Sequence, residues 1–302
     1  MQYKSQIFRS LIFIDTFNFV TKFSCHLSIV LIIIYKKAYV NIYFRLFISM
    51  INIMDYLSHF FLKFGHITFI LPIVIICIIF HKRDIYAKAT CFLLWVMIFN
   101  TLLKYLFKVP LLPHLGPGYA FPSGHMHAAS AFYGYILYKT DNKFVKIGLA
   151  TLLCWLGFSL IYCHFHDLTD VLGAIGFTIV ELLIYHILSV NFGDKVVGVT
   201  SIITAVAIMF ALNIIHKVEF HVWLAFYALV GMETTLLITQ DRKLGSISRK
   251  LFALILSIIM IAGIYYLFKA LAFDKFYLSE IRFALIPLII VAAMHFSERI
   301  KV

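Results

Sequence analysis

Hydrophobic positions in this chain come in long unbroken runs, separated by short polar breaks. The runs cover 66–80, 86–107, 122–138, 144–163, 167–190, 196–214, 220–239, 251–272 and 279–296. About 20 apolar residues suffice for a helix to cross the hydrocarbon core of a bilayer. Lipid admits only segments that satisfy their own backbone hydrogen bonds, so the runs predict membrane-spanning helices. Residues 1–53 are less regular. HLSIVLIIIY at 26–35 is short, Lys36 and Lys37 follow it, and Arg45 interrupts the next run. One span is expected within 26–53, with an interfacial helix, or a translation start at Met50 or Met54, as alternatives. DYLSHFFLKFG at 55–65 reads as an amphipathic surface helix. The N-terminus shows no signal-peptidase-type small-residue site, so no cleavable leader is expected.

Composition removes the soluble reading. The 302 residues are 63% hydrophobic and 13% charged, with mean hydropathy +0.96. A soluble domain is roughly half apolar and about a quarter charged. The expected fold class is therefore all-α, a polytopic transmembrane helical bundle. The formal net charge of +12 does not indicate nucleic acid, because the lysines and arginines are scattered singly with no basic stripe. Their scatter carries topology instead. Alternate breaks hold Lys82, Arg83 and Lys88; Lys139, Lys143 and Lys146; Lys195; Arg242, Lys243, Arg249 and Lys250; and Arg299 and Lys301. The intervening breaks hold only Lys108, Lys217 and Lys275. The positive-inside bias puts the poor breaks, including 108–121 and 164–166, on the non-cytoplasmic side. The five cysteines are odd in number and form no CxxC, so neither a disulfide framework nor a zinc site is expected.

Two polar clusters thus meet at one membrane face. KYLFKVPLLPHLGPGYAFPSGHMH at 104–127 is a Pro- and Gly-rich loop leading into a helix. Pro122 suits that helix's first turn, and Ser123 and Gly124 put backbone N–H groups at its start, a natural anion site. The second cluster, SLIYCHFHDLTD at 159–170, holds His166 and Asp170 at i, i+4, so a helix would let the carboxylate orient the imidazole. A carboxylate-oriented histidine can attack phosphorus, and a second histidine, His125, can protonate a leaving oxygen.

The arrangement resembles the type-2 phosphatidic acid phosphatase / vanadium haloperoxidase superfamily. That family carries Lys, six residues, Arg-Pro; then Pro-Ser-Gly-His; then Ser-Arg, five residues, His, three residues, Asp. Here Pro122, Ser123, Gly124 and His125 match in full. The third motif runs Ser159, Leu160, His166, Asp170, followed by Val171, Leu172 and Gly173. The first keeps Lys104, with Leu111 and Leu112 where the family has Arg-Pro. The resemblance covers roughly 60–190. It implies a six-helix phosphatase-like core plus about four extra C-terminal spans. The division is an N-terminal region 1–53, a core 54–190 and a C-terminal extension 191–302. It implies His166 as nucleophile forming a phosphohistidine, Asp170 as its orienting carboxylate and His125 as general acid. Lys104, Ser123 and Gly124 would bind phosphate. No metal or other cofactor is implied.

The expected activity is hydrolysis of a lipid phosphate or diphosphate monoester at the outer face of a bacterial cytoplasmic membrane. The partners are that lipid, the surrounding membrane lipids and, left open, a second copy of the chain. The two leucines set an alternative beside it, since each family arginine would contribute about 1.5–3 kcal/mol of charge-assisted bonding. The alternative is a weak or inactive member that binds lipid or serves structurally. Compensating donors are sought in His114, His127, His164 and Lys108. His127 and His164 are otherwise expected as incidental interfacial groups. Glu181 and Glu233 lie inside spans and suggest a third, transporter-like reading.

Overall fold

The computed structural model describes residues 43, 45, 47–81, 83–238, 246–270 and 281–299. The chain divides into two units, Met1–Leu57 and Ser58–Val302. In the first, 47–57 is helical; most of the region expected to hold one span falls outside the described residues. The second unit begins with helical residues 58–62 and a 3-10 turn, Lys63–Gly65. Ser58 and Gly65 are buried while His59, Phe60 and Lys63 are exposed, so burial here does not follow the apolar face expected from the sequence.

Helices then follow one another: α1 (Ile67–Phe80), α2 (Arg83–Phe107), α3 (Gly124–Lys139), α4 (Lys143–Tyr162), α5 (Leu168–Phe192), α6 (Asp194–Ile215), α7 (Phe220–Ile238), α8 (Ile247–Ala270) and α9 (Arg282–Arg299). Each falls on one of the apolar runs, and the polar breaks supply caps. Ser123 Oγ accepts from Met126 N–H at the start of α3. Asn142 Oδ1 accepts from the amides of Phe144 and Val145 at the start of α4. Such caps satisfy donors that the first turn leaves without intrahelical partners.

Among the described residues, α2, α4, α5, α6, α7 and α8 are long and apolar enough to cross a membrane. The chain is thus an all-α bundle with the character of a polytopic membrane protein. α1 has 14 residues and α3 has 16. At 1.5 Å per residue these reach about 21 and 24 Å, short of the ~30 Å core. α3 is instead an interior helix: Ala129, Ala131, Phe132 and Tyr135 are at most 1% exposed. α2 packs against α3 and α7, α3 against α5, and α9 against α7 and α8, so one core runs from α1 to α9. α5 turns Leu172, Ile179, Leu183 and Ile187 outward, an apolar surface suited to lipid.

The breaks segregate to two ends. Lys88 reaches Asp194 at 2.7 Å, and Lys250 Nζ donates to the Phe80 carbonyl at 3.3 Å, which joins basic-rich breaks. At the other end, His114 Nε2 donates to the His164 carbonyl at 3.1 Å, and the Tyr105 and His216 rings lie 5.1 Å apart. The described basic-poor breaks, at 108–121, 164–166 and 215–219, therefore share one end of the bundle.

Candidate functional site

The α4–α5 turn is built on one carbonyl. Leu160 O accepts from the amides of Phe165 (3.0 Å) and His166 (3.2 Å). The reversal is completed by His164 at φ 55, a left-handed conformation uncommon for a residue with a Cβ. His166 and Asp170 are thereby buried, at 8% and 4% exposure. His166 Nδ1 lies 3.0 Å from Asp170 Oδ2. An ionised carboxylate only accepts, so Nδ1 carries the hydrogen and Nε2 presents its lone pair in the neutral ring. Asp170 is itself fixed, because Oδ2 also accepts from Asp167 N–H at 3.3 Å.

Burial pushes the His166 imidazole below its ordinary value; the hydrogen bond to Asp170 opposes this and the nearby Lys104 charge reinforces it. The unfolded chain then binds a proton that folded His166 resists, in the window from ~6.5 down to the folded value. The His166 contribution to stability is therefore present above pH ~6.5 and is lost on acidification through that window. Thermal unfolding of the purified protein should show this loss, and His166→Gln should flatten that part of the profile. An identical acid slope in His166→Gln would assign the loss to other groups.

The start of α3 is pinned to this turn. Ser123 N–H donates to the Asp170 carbonyl at 3.1 Å, and Ser123 is fully buried. Of the two amides expected to cradle an anion, that of Ser123 is therefore occupied. Gly124 and His125 supply the leading N–H groups of the helix. His125 is exposed at this end, with its ring 5.7 Å from that of His66. His66, His166, Lys104 and His221 all lie close enough to act on the His125 charge. Gly173 belongs to the same packing: a Cβ there would come within 2.3 Å of the Phe121 ring, beside Pro122.

Lys104, on the last turn of α2, donates from Nζ to the Tyr119 carbonyl at 2.5 Å and lies within electrostatic reach of Asp170. The structure thus gathers Lys104, Ser123, Gly124, His125, His166 and Asp170 at one end of the bundle. The two leucines differ from each other. Leu160 is 1% exposed and belongs to the core. Leu111 is half-buried in the loop and lies over Gly118, where a Cβ would meet Leu111 Cδ1 at 2.7 Å.

Of the proposed compensating donors, His114 is occupied by the His164 carbonyl. His127 corrects both expectations made for it. It is neither interfacial nor in the site but 0% exposed, between Asn100 and Glu181 at 3.0 Å each. Residues two apart lie about 200° around a helix, so His125 facing out sends His127 in. Glu233 lies at the opposite end of the bundle, hydrogen-bonded to Cys91 on α2. His66, Glu219 and His221 were missed. His66 opens the first apolar run directly after Gly65, and Glu219 and His221 lie at a basic-poor break; that shared end was the available signal.

Among the described residues, no three His, Cys, Asp or Glu side chains come together to hold a metal ion. Comparison with protein-family models, with curated proteins and with solved structures returned no match.

Proposed function

We propose that this protein is an integral membrane protein that binds the phosphorylated head group of a lipid at the basic-poor end of the bundle, with weak or absent turnover. The observation that carries this reading is the convergence of Lys104, His125 and the His166–Asp170 pair around the start of α3. Leucines at 111 and 160 leave the site without two strong phosphate contacts. Lys104 and the helix start offer a modest anion site, and the apolar α5 face offers a place for acyl chains.

The positive-inside bias directs this end away from the cytoplasm. A cysteine at 116 should then be labelled by an impermeant reagent in intact cells; labelling only after lysis would reverse the orientation.

The test of binding uses nanodiscs in which phosphatidic acid replaces part of the phosphatidylcholine. The protein should retain phosphatidic acid selectively, and Lys104→Met should weaken that retention about tenfold, one lost charge-assisted contact. Equal retention of the two lipids, or no effect of Lys104→Met, would sink the reading.

One observation favours hydrolysis as a second reading: Asp170 holds His166 with Nε2 available. In that reaction Nε2 attacks phosphorus, the P–O bond to the lipid breaks, and His125 protonates the leaving alkoxide. Water then attacks the phosphohistidine and releases phosphate. Phosphate release abolished by His166→Ala is its signature; no release from acidic to neutral pH leaves the binding reading alone.

A further inference from the structure

Burying a polar group without partners in a membrane bundle is costly, and the second polar layer beneath the site has a fixed direction. Asn100 sits one turn before Lys104 on α2, His127 two residues after His125 on α3, and Glu181 eleven residues after Asp170 on α5. Eleven residues return to within about 20° of the same helix face, roughly 16 Å further along the axis. Exposures are 6%, 0% and 6%.

Asn100 Nδ2 lies 3.4 Å from the Pro122 carbonyl and 3.0 Å from His127 Nδ1. A carbonyl only accepts, so the amide nitrogen must face Pro122, and its second hydrogen falls to His127 Nδ1. With Nδ1 accepting, the His127 ring hydrogen is on Nε2, which donates to Glu181 Oε2 at 3.0 Å. The other oxygen, Glu181 Oε1, is buried with no hydrogen-bond partner among the described residues. The carboxyl is thus held through His127, and nothing competes for the direction of the chain.

We infer that Asn100, His127 and Glu181 form a directed hydrogen-bond chain that positions the Pro122–His125 turn for head-group binding; this rests on the binding reading proposed above. The turn is held from two sides. Asp170 takes the Ser123 amide from above, and Asn100 holds the Pro122 carbonyl from below. Gly124 allows the approach, since a Cβ there would stand 3.4 Å from Asn100 Oδ1. These are positioning residues: they act on the turn and do not touch the head group.

The experiment uses the full chain in nanodiscs. Nitrogen-15 histidine NMR, with the His127 signal assigned by its loss in His127→Gln, should show an unprotonated Nδ1 and a protonated Nε2. Asn100→Asp replaces two donors with acceptors. It should move the hydrogen to Nδ1, change the rate of His125 modification by diethylpyrocarbonate and weaken phosphatidic acid retention about tenfold. Glu181→Leu keeps Asn100 donating to Nδ1, so the tautomer should hold while the His125 rate changes and retention weakens; Glu181→Gln, whose amide oxygen still accepts from Nε2, should recover most of that loss. A wild-type His127 protonated at Nδ1 overturns the chain without any variant needing to fold. Unchanged His125 reactivity in Asn100→Asp overturns the positioning role. If the wild type binds no phosphatidic acid, the binding reading falls, and the tautomer and the His125 rate still decide the chain by themselves.

Discussion

Leu160→Arg will destabilise the protein by on the order of 3 kcal/mol, the scale for a charged residue placed within a membrane helix, whereas Leu111→Arg will leave stability near wild type. The resemblance treats the two positions alike, because each stands where a phosphate-binding arginine belongs. The fold separates them. Leu160 is 1% exposed, and its side chain is part of the core formed with Leu156 and Val171. A guanidinium there would have to be desolvated without an assured partner. Leu111 is half-buried in a loop, where an arginine stem can lie over the surface and carry its charge to water. Chemical denaturation in detergent measures the difference. Inorganic phosphate should restore part of the stability of Leu160→Arg, since a ligand bound only by the folded state stabilises it. Wild-type stability in Leu160→Arg without phosphate would mean that this position opens into the site. Leu111→Arg should tighten phosphatidic acid retention; a weaker retention would show that the apolar loop is part of how the lipid is held.

Gly231→Ala should cost about 1–3 kcal/mol, the range for overpacking a tight interior, and lower the thermal midpoint by several degrees. A Cβ at Gly231 would stand 2.1 Å from the carbonyl oxygen of Ala284, so α7 and α9 touch backbone to backbone. No rotamer change relieves a clash with main chain. Small residues allow such contacts between membrane helices, where dispersion and close packing replace the hydrophobic effect as the driving force. The control is Gly263→Ala on α8, which meets nothing within 4 Å. Equal losses in both variants would place the effect in helix flexibility rather than in the α7–α9 contact.

Helix placement was legible because it depends on a local property, the length of an apolar run between polar breaks. α4 at Lys143–Tyr162 and α5 at Leu168–Phe192 fall within two residues of the runs at 144–163 and 167–190. The i, i+4 spacing of His166 and Asp170 likewise led to a real hydrogen bond at 3.0 Å, but through a different local geometry: His166 lies in the turn before α5, and the turn rather than a shared helix face brings the two together. α3 was legible as a helix but not as an interior one. Its 16 residues mix His125, His127, Ser130 and Lys139 with small and aromatic side chains, and their pattern does not distinguish a lipid-facing helix from one enclosed by its neighbours.

The sequence by itself determined the all-α membrane character, the alternation of basic and non-basic breaks, and the local pairing of His166 with Asp170. Each follows from residues near one another along the chain. Tertiary structure decided the rest. It tied Lys104 to the Tyr119 carbonyl, brought His66 and His221 into reach of His125, and buried Leu160 while leaving Leu111 in the loop. It also joined Asn100, His127 and Glu181, which are separated by 27 and 54 positions. Contacts of that range depend on how whole helices cross, and a single sequence records which residues are polar without recording which of them meet.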